Sequence, residues 1–156
     1  MAVSKDDFRK GLSRFASGVT VVTCKAESGN LGLTVSAFSS LSLEPPLVLI
    51  CVHACSSVHD ELKEGKCFAV NILAEDQEPI SRLFASKNAD RFGGISYQEG
   101  QTGAPLINGA LAFVECRIVN AYPGGDHTIL VGQVEASGIS ERKPLLYFCG
   151  GYSHLG

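Results

Sequence analysis

Gly32-Leu-Thr-Val-Ser-Ala-Phe-Ser-Ser-Leu-Ser-Leu-Glu-Pro-Pro46 is the stretch on which the reading of this chain turns. It opens as a strand near 32–38, and it carries five hydroxyls (Thr34, Ser36, Ser39, Ser40, Ser42) among apolar neighbours. A core strand has no use for them. One reading is a solvated edge strand that ends in a turn at Pro45-Pro46. The other is the wall of a site for a flat, amphipathic ligand, where small side chains admit the backbone and hydroxyls supply adjustable donors and acceptors.

Strand signals continue on both sides. Upstream, Val19-Thr-Val-Val-Thr23 is β-branched throughout. The turn Glu27-Ser-Gly-Asn30 separates it from the hydroxyl-rich segment. Downstream, Leu47 to Val52 is a continuous apolar run, which predicts cover on both faces. Cys67 to Ala74 alternates, with Phe68, Val70, Ile72 and Ala74 on one side. Ala110 to Tyr122 and His127 to Ser137 are long strands on either side of a turn at Pro123-Gly-Gly125, and Leu145 to Cys149 closes the series. Helices are few. Asp6 to Ser17 opens the chain behind a Ser4–Asp7 capping box, with Phe8, Leu12, Phe15 and Ala16 on one face and Gly18 as its stop. Ser57 to Glu64 starts on a Ser57–Asp60 box, and Asp76 to Ala85 tolerates Pro79 in its first turn. Six or more strands with short helices predict a mainly β barrel rather than a doubly wound sheet. The 156 residues, with neither a repeat nor a linker, predict one domain over 1–156.

Net charge is −3 and no basic block appears, so the electrostatic footprint of a nucleic-acid binder is missing. The run from Leu47 to Val52 is far too short for a membrane span. Six cysteines could form disulfides in a secreted chain. Here the N-terminus runs straight into charged residues and most of the cysteines sit in apolar runs, so free thiols in a cytoplasmic protein are expected. A mean hydropathy of +0.15 leaves apolar surface for a homodimer to cover.

Three segments carry candidate chemistry. In Cys51-Val-His-Ala-Cys-Ser-Ser-Val-His59, Cys51, His53 and Cys55 share a strand face and His59 follows on the next helix. A metal site is one reading, yet ligand pairs normally come from two segments and no second pair is evident, so none is assigned. A strand feeding a helix N-terminus, with the Ser56 and Ser57 hydroxyls, suits a phosphate instead, and a bare helix cap is the plain alternative. In Phe84-Ala-Ser-Lys-Asn-Ala-Asp-Arg-Phe92, Lys87 and Arg91 are cations able to meet a phosphate or pyrophosphate; for Lys87 a solvated loop is preferred. In Gly125-Asp-His127 the histidine opens a strand, where Asp126 is able to orient its ring. No G-x-G-x-x-G follows a strand, and neither a Walker motif nor a G-x-S-x-G elbow appears.

Gly32 to Pro46 resembles, almost without a gap, a segment of the short-chain flavin reductases, the FMN-binding split-barrel reductases of two-component monooxygenases. Phe15-Ala-Ser-Gly-Val-Thr-Val-Val-Thr23, Phe68-Ala-Val-Asn-Ile-Leu-Ala-Glu-Asp-Gln77, Phe84-Ala85, Gly125-Asp-His127, Pro144-Leu-Leu-Tyr147 and Gly151-Tyr152 extend the resemblance in order along nearly the whole chain. It implies a Greek-key-like split β-barrel that binds FMN or FAD and takes hydride from NADH or NADPH stacked in a folded form. Leu33, Thr34, Val35 and Ser36 would line the isoalloxazine, largely through backbone groups. Ser40, Leu41, Ser42 and Leu43 would hold the rest of the ring and the ribityl chain. Cys55, Ser56, Ser57 and His59 would sit at the flavin phosphate, with Phe84, Ala85, Arg91 and Phe92 completing the flavin side. His127 would lie beside the nicotinamide, with Tyr152 in the same cleft. Ser36 stands where Asn is frequent, Ala37 where Ser is frequent, and Cys55 where a basic or amide residue is frequent, which implies fewer side-chain contacts to the flavin. The resemblance also implies a homodimer and a partner oxygenase that receives reduced flavin. A non-catalytic flavin-binding protein, or an electron carrier that holds FMN tightly, is the alternative.

Overall fold

The computed structural model describes residues 2–156. In chain order its elements are α1 (Lys5–Leu12), β1 (Ser17–Gly18), β2 (Thr20–Ala26), β3 (Gly29–Val35), β4 (Phe38–Ser42), β5 (Leu47–His53), β6 (Cys67–Ile72), α2 (Glu78–Ala85), β7 (Tyr97–Glu99), β8 (Pro105–Ile107), β9 (Ala112–Gly124), β10 (His127–Ile139), β11 (Leu145–Phe148) and β12 (Gly151–His154). The architecture is mainly β, as expected.

Seven strands form one antiparallel sheet in the order β3-β2-β6-β9-β10-β5-β4. Its closure follows from chain length. Strands spaced about 4.8 Å apart would put the two edges of a flat seven-stranded sheet roughly 29 Å apart. Yet edge strands β3 and β4 are joined only by Ser36-Ala37, a link that reaches at most about 11 Å. The sheet therefore curls until its edges meet, leaving a seam where β3 turns into β4. Inside lie Val22, Ile50, Val52, Phe68, Val70, Ile118 and Leu130, all 1% exposed or less. A second cluster of Val19, Val21, Leu73, Phe84, Ile107 and Leu145 packs under α2, outside the barrel wall. β6 is therefore buried on both faces, and Asn71 within it is fully buried. Its amide donates to the Val21 carbonyl (3.0 Å) and the Thr23 hydroxyl (3.1 Å), and its oxygen accepts the Ile107 N–H (2.9 Å). Those bonds fasten β8 to the barrel.

Several expectations need correction. The first helix ends at Leu12, not Ser17. Its Ser4 cap forms (Asp7 N to Ser4 Oγ 3.1 Å), with the Ser4 hydroxyl donating to the Asp7 carboxylate (2.8 Å) in place of the reciprocal backbone bond of a full box, but Ser17 and Gly18 pair with Tyr147 and Leu146 of β11. Phe8, Leu12 and Phe15 stay exposed at 55%, 58% and 82%. The strand placed at 32–38 starts earlier, at Gly29, and stops at Val35. In β5, Val48, Ile50 and Val52 point inward while the opposite face is only half-buried, so cover is one-sided. No helix spans Ser57 to Glu64: a single 3-10 turn occupies His59–Glu61, and the Val58 N–H bonds Ser56 Oγ (3.1 Å) in place of the expected box. Val58 and Leu62 are buried in the barrel, and the Gly65 N–H already bonds the Ile118 carbonyl (2.8 Å). That leaves no length for further turns. β9 runs through Gly124, so the hairpin turn is Gly125-Asp126. Gly125 takes φ 66°, the positive value that the first position of a II′-type loop requires. β7, β8 and β12 were not anticipated.

Candidate functional site

Two hollows follow one another along β3. The first, about 470 Å³, is lined by residues that include Gly32, Ser57, Lys87, Asn88, Arg91 and Phe92. The second, about 230 Å³, is lined by residues that include Thr34, Val35, Ser36, Ser81, Ala85 and Tyr152. α2 separates them and is seated by close approach. A Cβ on Gly32 would lie 2.7 Å from the Phe84 ring, so only glycine lets the helix come this near. The Thr34 hydroxyl donates to the Ser81 carbonyl (2.6 Å), and Ser81 Oγ bonds the Tyr152 hydroxyl (2.7 Å). Tyr152 also meets Tyr147 edge-on (5.2 Å between ring centroids) and carries the Arg82 guanidinium 4.9 Å above its ring. The wall of the second hollow is therefore held on three sides.

Arg91 organises the first hollow. Its Nη1 donates to the Gly32 carbonyl and its Nη2 to the Ser86 carbonyl, which straps the segment after α2 onto β3. Its Nε is buried without a partner among the described residues. Phe92 packs edge-on to Phe84 (5.1 Å) and Tyr97 (5.2 Å). A fixed guanidinium, the exposed Lys87 and the Ser57 backbone form a cationic end suited to phosphate.

A third group stands where β5 and β10 meet. Their register sets His53 opposite His127, with ring centroids 5.0 Å apart in an edge-to-face arrangement. Asp126 lies between them: His127 Nδ1 is 2.7 Å from one carboxylate oxygen, and His53 Nε2 is 3.7 Å from the other. The hydrogen bond from His127, helped by the charges of His127 and then His53, holds the Asp126 carboxyl below the usual carboxylate range. The segment 51–59 does not converge on a metal. His53 Nδ1 accepts the Cys55 N–H (3.0 Å), and His59 Nε2 bonds the Thr128 hydroxyl (2.8 Å). Another cavity, about 430 Å³, has a lining that includes Lys25, Glu27, Glu61, Lys66 and Thr102 and shares no residue with either hollow.

Residues 12–156 match the model of the flavin reductase-like domain. The chain belongs to the flavin reductase family. The reductase component of 4-hydroxyphenylacetate 3-monooxygenase from Thermus thermophilus is 43% identical over 152 residues, covering 97% of each chain. The reductase subunit HsaB of a flavin-dependent monooxygenase from Rhodococcus jostii is 37% identical over 155 residues, 99% of this chain and 80% of that one. Among solved structures, the NADH:FAD oxidoreductase SgcE6 of Streptomyces globisporus, in complex with NAD and FAD fragments, superposes with a TM-score of 0.93 at 38% identity, covering 100% and 97% of the two chains.

In this flavin reductase-like domain the structure gathers Thr34, Val35, Ser36, Ala85 and Tyr152 in one hollow, and Ser57, Arg91 and Phe92 in the other. Lys87, read from sequence as a loop cation, joins the second set. The donor set fits a flavin, with apolar Val35 and the Ser36 hydroxyl in one hollow for a ring and its polar edge, and cations in the other for a phosphate. The remaining residues stand elsewhere. Leu33 packs against the barrel core, and Phe84 is buried behind Gly32. Ser40 and Leu41 lie exposed and Ser42 half-buried on edge strand β4, with Leu43 just beyond it at 92% exposure. Cys55 and Ser56 belong to the turn after β5, and His59 to the 3-10 turn. The hydroxyl count also overstates what a ligand finds, because Thr34 donates to Ser81 and Ser39 donates to the Ser40 carbonyl (2.9 Å). Sequence reasoning gave no role to Ser81 and considered His53 only as a metal ligand. The β5–β10 register would have revealed His53, since it sets the two histidines directly opposite each other across the strands.

Proposed function

We propose that this chain is an NAD(P)H-dependent flavin reductase: it takes hydride from NADH or NADPH into FMN or FAD and passes the reduced flavin to a partner oxygenase. The observation that carries this reading is the divided groove along β3, hydroxyl-lined at one end and cationic at the other. The names of the relatives, reductase components of monooxygenases, support the oxygenase partner.

Hydride transfer belongs to the bound flavin and nicotinamide themselves. The chain binds, aligns and shields them. In this reading Leu33, Thr34, Val35 and Ser36 present backbone groups and the Ser36 hydroxyl to the flavin ring, while Leu33 keeps its side chain in the core. Ser40, Leu41, Ser42 and Leu43 form the outer lip. Cys55, Ser56, Ser57 and His59 make the phosphate side, and Phe84, Ala85, Arg91 and Phe92 complete the flavin side, where Arg91 fixes the loop and Lys87 adds charge. His127 and Tyr152 flank the nicotinamide. Positioning of this kind removes several kcal/mol of orientational cost, typically about 7–11 when fully realised.

The exposed Phe15 (82%), Leu43 (92%) and Ile139 (86%) favour a homodimer. Six free thiols favour a cytoplasmic setting, and residues 1–156 read as one flavin reductase-like domain. The test is a steady-state assay that crosses NADH and NADPH with riboflavin, FMN and FAD. Oxidation of dinucleotide that depends on added flavin is expected; no stimulation by any flavin would refute the reading. His127→Ala is expected to lower turnover with the dinucleotide more than it weakens flavin binding.

A further inference from the structure

The Asp126 side chain is 78% exposed on a two-residue hairpin turn, yet a histidine stands on each side of it. His127 Nδ1 meets one oxygen at 2.7 Å and His53 Nε2 faces the other at 3.7 Å. His53 is itself set in one orientation. Its Nδ1 accepts the Cys55 N–H, so the proton of the neutral ring sits on Nε2, the nitrogen turned to Asp126. The Ala54 N–H bonds the Asp126 carbonyl (2.9 Å), which wraps the end of β5 around the turn. Asp126 and His53 are the titratable groups the structure sets against His127; β9 brings only Gly124 and Pro123 to that end of β10.

We propose that His53 is a positioning residue. By holding the far oxygen of Asp126 it keeps that carboxylate on His127 Nδ1, fixes the His127 proton there, and leaves Nε2 as the nitrogen free for a ligand. The function of this arrangement rests on the reading that His127 meets the nicotinamide. Without His53 an exposed aspartate with one partner samples other rotamers, and the His127 proton distributes over both nitrogens.

The test compares the wild-type protein, His53→Ala and His53→Gln. Gln retains an N–H donor at about the reach of Nε2 and carries no charge. Histidine-labelled ¹⁵N spectra at mildly alkaline pH are expected to show His127 as a single Nδ1–H tautomer in the wild type, a mixture in His53→Ala, and recovery in His53→Gln. kcat/KM for NADH should fall roughly two- to fivefold in His53→Ala, the loss of a weak, exposed polar contact, with flavin affinity unchanged and activity recovered in His53→Gln. Unaltered His127 nitrogen shifts in His53→Ala would overturn the proposal. So would a parallel loss of flavin affinity in both variants, which marks a merely structural role. A wild-type protein that oxidises no dinucleotide with added flavin would refute the reductase reading alone, and the nitrogen spectra would still decide the role of His53.

Discussion

Gly32→Ala is the most informative single substitution, because it acts on the fold and on the groove through one contact. The new Cβ would stand 2.7 and 2.9 Å from two Phe84 ring carbons and 3.2 Å from the Val22 carbonyl oxygen. Ordinary carbon contact begins near 3.5 Å, so the ring must retreat by about 0.8 Å. It has little room to do so, being 1% exposed and packed edge-on against Phe92. The displacement therefore passes to α2, which carries Ser81 and Ala85 into the second hollow. Overpacking of this kind costs about 1–3 kcal/mol, offset by roughly 0.5–1 kcal/mol from replacing a strand glycine. A net loss of about 1–2 kcal/mol corresponds to a Tm lower by roughly 2–8 °C for a domain of this size. Thermal unfolding and flavin titration, measured together, are the assay, and a several-fold weaker flavin Kd should accompany the drop. Adding Phe84→Leu should recover part of both losses; strict additivity of the two substitutions would mean that the residues do not touch. A Gly32→Ala protein with wild-type Tm and wild-type flavin affinity would refute the reasoning.

Gly11→Ala is the opposite case: the new methyl meets open space within α1, so about 0.5–1 kcal/mol of added stability is expected in denaturant unfolding. Glu115 is 1% exposed and its carboxylate accepts Gln101 N–H (3.2 Å), Thr102 N–H (2.9 Å) and the Thr102 hydroxyl (2.7 Å). Glu115→Ala strands two backbone donors, so a loss of about 2–4 kcal/mol and faster proteolysis near Thr102 are expected, with Glu115→Gln much milder. Burial pushes the Cys24 thiol up to about 11 and the Cys116 thiol up to about 12, while Cys55 and Cys149 are exposed. Alkylation of the native protein at neutral pH followed by mass mapping should mark Cys55 and Cys149 and spare the buried pair. Both raised thiols favour the folded state below the ordinary thiol value of 9.0. Their contribution is lost as pH climbs from there through 11–12, because the unfolded chain ionises first, and stability curves in that range should fall accordingly.

The barrel strands were legible because their residues obey one local rule. β-Branched Val21 and Val22, the apolar run of β5 and the long β9–β10 pair declare themselves as strands by residue type, though the run of β5 hides which face turns inward. The helix ends were less so, since tertiary bonds outvote local signals. The Ser57–Asp60 spacing imitates a capping box, yet Val58 and Leu62 plug the barrel and one 3-10 turn suffices. Phe8 and Leu12 keep helical spacing on a face that this chain leaves uncovered. Of the candidate site, the hydroxyls on β3 left an edge strand and a ligand wall equally open, and the family resemblance was what singled out Leu33 to Ser36. The pairing of His53 with His127 and the contact of Ser81 with Thr34 and Tyr152 depend on register and helix placement, which no single segment encodes.

Ser36 and Ala37 have a consequence for how this chain can change length. Connecting segments generally accept extra residues at small entropic cost. The exposed connection between β10 and β11, residues 140–143, is of that tolerant kind. The Ser36-Ala37 link is not, because its shortness is what draws the first and last strands of the sheet together. Two or three residues inserted there would relax the curl and pull Ser36 away from Tyr152 before any core side chain was touched. Libraries that vary loop length should find this connection as unforgiving as a buried strand, and any natural lengthening should be met by a compensating deletion on the facing edge.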